Sequence, residues 1–276
     1  MNSKRIRIGC ASGFWGDTST AAKQLVEKAS LDYLVFDFLA EVTMSILSRA
    51  KLINPKLGYA TDFVDQITSL LKAIKDKKIK VITNAGGINP YSCKTALQLE
   101  AEKLGLKLNI ATIEGDNILA ELPALRKQGV TEIEKKSILP KQCLSINAYL
   151  GAPGIVEALN KGADIVITGR VVDSALVLGP LMYEYNWKHS DYDLLSAGSL
   201  AGHIIECGAQ CTGGNYTDWK EVAGYDNIGF PFVDVFQSGD FIVSKPKGTG
   251  GLVTFGTVAE QLVYEIGNPE EYILPD

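Results

Sequence analysis

The sequence predicts an α/β fold: a parallel sheet, doubly wound with helices on both faces, followed by a small C-terminal α+β segment. Three observations carry this expectation. Short β-branched runs alternate with amphipathic stretches of helical period along most of the chain. The runs are apolar almost throughout, as strands covered on both faces must be. Each breaks into a polar or glycine-rich turn at its end. An eight-stranded barrel is the alternative architecture, because polar strand ends suit it equally well.

The elements follow in order. Strand-like runs fall at 6–11, 33–38, 79–84, 106–113, 143–148 and 164–168. The first helix, 18–30, carries Ala21, Leu25, Val26 and Ala29 on one face, with Asp17 as its N-cap. A second, 63–75, repeats the pattern with Phe63, Ile67, Leu70, Leu71 and Ile74. A third, 92–104, is stopped by Gly105, and a fourth, 153–161, runs between Pro153 and Gly162, the asymmetry expected of helix ends. The character changes near residue 225. Two strand-like runs, 230–236 and 240–245, flank the turn Gln237-Ser238-Gly239-Asp240, and a helix follows at 257–266. Residues 1–224 are thus expected to form the α/β domain with the site, and 225–276 a small segment that stops inside a hydrophobic pattern, as an incomplete last domain would.

Composition narrows the function classes. With 46% hydrophobic and 21% charged residues the chain is ordinary globular material. A net charge of −5 without a Lys/Arg block argues against nucleic acid. No apolar run is long enough to span a bilayer. Met1-Asn2-Ser3-Lys4-Arg5-Ile6 enters a strand pattern at once and leaves no room for a signal peptide. The five scattered cysteines read as reduced thiols of a cytoplasmic protein.

The strand ends share a polar habit: Ser12 and Asp17; Asp37 and Glu41; Asn84 and Asn89; Glu114 and Asp116; Asn147; Arg170 and Asp173. A parallel sheet gathers such ends on one edge, where α/β folds bind ligands. Arg170 is therefore expected to bind a carboxylate or phosphate, with Asn84, Asn89, Glu114 and Asp116 lining the pocket. The plainer explanation is that turns favour Asn, Asp and Gly on their own account, with Arg170 and Asp173 simply paired. Gly86-Gly87 before a helix, and Gly250-Gly251 beside Lys245 and Lys247, are candidate phosphate cradles. The loop Gly9–Gly16 has a strand–loop–helix context, with Asp37 where a ribose carboxylate would sit. Its G-x-x-x-G-x-x-G spacing departs from the dinucleotide fingerprint.

The second dense stretch is 199–216. On a helix His203, Glu206 and Cys207 share a face. This suits a proton-carrying His203 oriented by Glu206, with Asp173 as a further catalytic carboxylate and Asn215 as a substrate contact. A metal site from His203, Cys207 and Cys211 lacks a fourth ligand and the Cys-x-x-Cys spacing, so none is assigned. His189 sits in a polar loop.

Taken together, Gly86-Gly87-Ile88-Asn89-Pro90, Glu114-Gly115-Asp116, Thr168-Gly169-Arg170-Val171-Val172-Asp173-Ser174, Gly202-His203-Ile204-Ile205-Glu206-Cys207-Gly208-Ala209-Gln210 and Gly248-Thr249-Gly250-Gly251 with Glu260-Gln261-Leu262-Val263-Tyr264-Glu265 resemble the AtuA family of acyclic terpene utilization proteins. The resemblance runs from residue 5 to the end. It implies a place beside acyl-CoA carboxylases in citronellol and geraniol catabolism. The expected activity is acid/base chemistry, such as hydration or isomerisation, on a branched acyl-CoA or related acid, with CoA as part of the substrate and the need for any other cofactor left open. Proteins of this kind are usually longer, so a homo-oligomer or a second chain completing the C-terminal part is also expected. The alternatives are a non-catalytic subunit or scaffold, and a nucleotide-dependent oxidoreductase built on the Gly9–Gly16 loop.

Overall fold

The computed structural model describes residues 4–276; Met1 to Ser3, part of the segment judged too short for a signal peptide, lie outside them. In chain order come β1 (Arg5–Cys10), α1 (Ala21–Lys28), β2 (Tyr33–Phe36), α2 (Glu41–Ile53), α3 (Thr61–Thr68), α4 (Leu71–Asp76), β3 (Lys80–Thr83), α5 (Pro90–Lys103) and β4 (Ile110–Ile113). Then follow α6 (Leu122–Lys127), α7 (Pro153–Asn160), β5 (Ile165–Thr168), α8 (Ala175–Tyr185), α9 (Tyr192–Ile205), β6 (Phe232–Phe236), β7 (Phe241–Ser244) and α10 (Phe255–Glu265).

The strands form one open sheet in the order β4-β5-β3-β2-β1-β6-β7. The first five are mutually parallel, while β6 runs antiparallel to β1 and β7 antiparallel to β6. Side-chain alternation divides the core in two. Ile6, Ile8, Tyr33, Val35, Ile82 and Val166 face α7, α8 and α9. Leu34, Phe36, Val81, Ile165 and Ile167 face α1, α3, α4 and α5. Both faces are covered, so β2 and β5 are buried along their whole length, which is why their sequences are apolar without alternation. Each such residue contributes about 1.5–3 kcal/mol of burial. The doubly wound reading holds; the open sheet, with β4 and β7 at its edges, rules out the barrel.

Two expectations need correction. Residues 143–148 form no strand. Leu144 and Ile146 alternate with polar residues, but Leu144 is largely exposed, and the segment makes only the bridge Asn117↔Asn147. Periodicity alone supplied a pattern here without a neighbouring strand to pair. The helix expected at 63–75 is two helices, α3 and α4, interrupted at Ser69 and Leu70. The long connection from β2 to β3 holds α2, whose Met44 and Leu47 are buried in a small cluster of their own.

The turn region near 225 leads into β6, which joins the main sheet through β1. Thr254 and Thr257 cap the start of α10 reciprocally, and Gln261 of that helix donates to the His203 carbonyl of α9. Among the described residues no helix is long and apolar enough to cross a membrane.

Candidate functional site

A cleft of about 540 Å³ opens where the C-terminal ends of β1, β2 and β5 meet the ends of α9 and α10. Its lining includes Asp37, Glu41, Tyr149, Arg170, Asp173, His203, Glu206, Cys207, Glu265 and Tyr272. It is thus crowded with carboxylates around a single guanidinium.

Arg170 arrives two residues after β5, with Gly169 between. Gly169 is required there, since a Cβ would lie 2.5 Å from an Asp116 carboxylate oxygen. That carboxylate accepts the Arg170 backbone N–H at 2.9 Å and the Asn147 amide at 2.7 Å. The Arg170 side chain is 6% exposed. Nη1 donates to the Leu39 carbonyl at 2.7 Å, and the guanidinium lies 4.3 Å from the Tyr149 ring centroid. Asp173 stands 3.1 Å from Nη1 as an ion pair, with its Oδ1 making no hydrogen bond. Tyr149 in turn donates its hydroxyl to Glu41.

Asp37 ends the β2 side of the cleft. It is buried, accepts from the Asn84 amide at 2.6 Å, and is held up to a pKa of about 7 by burial and by Glu206, against the opposing pull of Asn84 and Arg170. Burial, followed by the negative charge of Asp37, likewise raises Asp173 well above the ordinary carboxylate range. Burial raises Glu206 too, reinforced by Asp173 and Glu265. Burial thus pushes the carboxyl groups of this cleft toward their protonated forms.

His203 sits on the last turn of α9. Gly202 lets α9 approach closely, because a Cβ there would lie 2.7 Å from the Ser174 Cα. Nδ1 of His203 is 3.2 Å from both oxygens of Glu206, and Nε2 is 3.0 Å from the Tyr272 hydroxyl. Burial pushes the imidazole pKa down, against the pull of Glu265 and Asp173. Neutral His203 thus has both nitrogens engaged. The helix ends at Ile205, so Glu206 is its C-cap and Cys207 lies beyond it. Instead of joining His203, Cys207 donates its thiol to Glu265 at 2.9 Å. Cys211 is buried apart from the cleft and contacts the Gly208 carbonyl.

The structure brings Arg170, Asp173, His203 and Glu206 together. Asn84 and Asp116 support this group from beneath, positioning Asp37 and Arg170. Asn89 instead ties down the carbonyls of Pro55 and Leu57, at 3.0 and 2.7 Å. Glu114 and Asn215 are exposed and outside the lining. The glycines of both candidate cradles meet protein backbone. A Cβ on Gly86 would fall 2.4 Å from the Thr168 carbonyl oxygen, and one on Gly87 2.8 Å from that of Gly58. The N–H groups of Gly250 and Gly251 donate to the carbonyls of Asn227 and Ala223. In the Gly9–Gly16 loop the carboxylate of Asp17 already accepts the Gly13 N–H, the kind of donor a phosphate would need.

A Cβ on Gly250 would lie 1.9 Å from the Gly224 carbonyl oxygen. Gly250→Ala is therefore expected to cost about 1–3 kcal/mol, read as a lower urea midpoint. An unchanged midpoint would show that the loop has room to spare.

Sequence reasoning gave no site role to Tyr149, Tyr272 and Glu265, and placed Asp37 among the polar strand ends and as a ribose contact, without a catalytic role. Glu265 lay within a recognised motif and Asp37 at a strand end, so both carried a signal. The tyrosines carried none, because each reaches the cleft only through tertiary folding.

No curated protein and no solved structure matches the chain. The family model described as acyclic terpene utilisation family protein AtuA matches residues 6–276, essentially the whole chain, and the protein belongs to that family.

Proposed function

We propose that this protein is an enzyme of acyclic terpene catabolism that works by acid/base chemistry on a branched acyl-CoA or a related acid. The observation that carries the reading is His203, held at one nitrogen by Glu206 and at the other by Tyr272, in the wall of a carboxylate-rich cleft. Hydrogen bonds on both sides fix the ring's orientation, as a proton carrier requires. Nε2 accepts a proton from the substrate once the Tyr272 hydroxyl gives way. The imidazolium formed is stabilised by Glu206 and its acidic neighbours, and returns the proton to another carbon or to an oxygen. Arg170 supplies positive charge for a carboxylate or an oxyanion, and a protonated Asp37 or Asp173 can donate to a carbonyl oxygen. A second pocket of about 340 Å³ shares His203 and Tyr272 with the cleft and is lined by Leu195, Leu200, Ile266 and Leu274. A branched hydrocarbon chain suits it.

The test is turnover of citronellyl- and geranyl-type CoA esters and the free acids by the wild type, His203→Ala and Arg170→Ala. Losses of about two orders of magnitude are expected for His203→Ala. Unchanged turnover of every compound in both variants would sink the reading.

One observation favours a second reading, a subunit covered by a partner chain. The helix α10 exposes Phe255, Val263 and Tyr264, at 91%, 74% and 63%. A chain that sediments as a monomer at high concentration and gains no mass from the products of neighbouring genes would count against it.

A further inference from the structure

We propose that Glu206, Cys207 and Glu265 form the core of a divalent-cation site in the cleft wall, suited to a zinc-class ion. The site rests on the cleft geometry and not on the acid/base reading of His203.

The ligand atoms of these three residues all lie within 4.8 Å of one another. Small side-chain rotations close that span around an ion with bonds of about 2.0–2.3 Å. Two helix ends deliver them: Glu206 caps α9 with Cys207 directly after it, and Glu265 ends α10. The Cys207 thiol already points at a Glu265 oxygen, 2.9 Å away. A Glu206 oxygen lies within 4.8 Å of a Glu265 oxygen. Two carboxylates this close in a buried wall are relieved by a proton or by a cation. Arg170, the only guanidinium lining the cleft, is already engaged by Asp173 and the Leu39 carbonyl.

A separate observation comes from Gln261, one helical turn before Glu265. It is 2% exposed, and its amide donates to the His203 carbonyl at 3.1 Å, yet its Oε1 has no hydrogen-bond partner. A buried acceptor oxygen left without a donor is costly. Four residues before Glu265, and so on the same face of the helix, it is one more oxygen of the type that cations attract.

The donor set selects the ion. A thiolate with carboxylates favours zinc over magnesium or calcium, which prefer all-oxygen cages. Glu206 can serve both partners, with one oxygen on the ion and the other on His203 Nδ1, an arrangement that also orients the imidazole.

Full-length protein stripped with a chelator should be titrated with Co²⁺. The expected result is a near-ultraviolet thiolate-to-cobalt charge-transfer band that saturates at one ion per chain and is lost on adding Zn²⁺. Cys207→Ser should abolish the band, Glu265→Gln should weaken binding at least tenfold, and His203→Ala should retain the band. Zn²⁺ should also raise the melting temperature of the wild type more than that of either ligand variant. No band, a band that persists in Cys207→Ser, or equal zinc shifts in all variants would mean an adventitious ion only and would overturn the site. Because the readout is optical, its failure leaves the turnover test of His203 standing, and the reverse also holds.

Discussion

Arg170→Met is expected to destabilise the protein by about 1–3 kcal/mol, the cost of leaving buried hydrogen-bonding groups without their partner, since Arg170 is buried while 26% of the Asp173 side chain stays exposed. Arg170 is 5% exposed, and its guanidinium serves Asp173, the Leu39 carbonyl and the Tyr149 ring together. Methionine fills much of the volume and satisfies none of these groups. Its removal leaves Asp37, Asp173 and Glu206 facing one another with no cation from Arg170. Arg170→Lys should recover only part of the loss, since an ammonium cannot stack on Tyr149 and reach both oxygen partners in the planar geometry of a guanidinium. Urea unfolding at pH 7 measures the effect. A double-mutant cycle with Asp37→Asn then isolates the electrostatic share: removing Arg170 should cost at least about 1 kcal/mol less when Asp37 is already neutral. A loss below about 1 kcal/mol for Arg170→Met alone would show that the cleft accommodates its acids without this residue.

Asp37→Asn is expected to stabilise the protein, and only at higher pH. The ordinary carboxyl value is 3.8, and the folded protein holds Asp37 at about 7. At pH values below 3.8 the group is neutral in both states and its contribution to stability is fully present. Between those values the unfolded chain ionises while the folded one keeps its proton, so stability falls as pH rises. Above 7 the loss is complete. The gap corresponds to roughly 4 kcal/mol. The charged and titratable groups that set it are Glu206, which raises the value, and Arg170, which lowers it; Asn84 and the Leu39 N–H lower it by hydrogen bonding to the carboxylate. Asparagine cannot ionise. Melting curves of wild type and variant should converge near pH 4 and separate steadily up to pH 8, with the variant higher. Parallel curves would mean that Asp37 is not the group paying this penalty.

Much of the fold is legible because the sheet is buried on both faces. Runs such as Leu34–Phe36 and Ile165–Ile167 must be apolar throughout, and that composition is visible without coordinates. The failure at 143–148 has the same root: alternation identifies a half-buried ribbon but not whether a strand lies beside it. In the site, Arg170, Asp173, His203 and Glu206 stood out because they are polar residues in apolar or glycine-rich surroundings, and the cleft gathers them. Glu114 and Asn89 show the limit. Both follow strands, yet one faces solvent and the other ties down a loop, because a strand end fixes where a residue is and leaves open which way its side chain turns. Tyr149 and Tyr272 meet Arg170 and His203 from segments with no regular secondary structure, which no periodicity marks.

The position of β5 has a kinetic consequence. It is the last parallel strand in the chain, yet it lies between β3 and β4, which precede it. Its slot is therefore defined only after both neighbours have been synthesised and brought to their places. The strand β1 waits longer still for β6, with Arg5 opposite Phe236. Such distant pairings make for slow folding. The corner that carries Arg170 and Asp173 follows directly from β5, so a chain arrested before that insertion has no cleft at all. Recovery of ligand binding after dilution from denaturant should consequently lag behind recovery of helical signal.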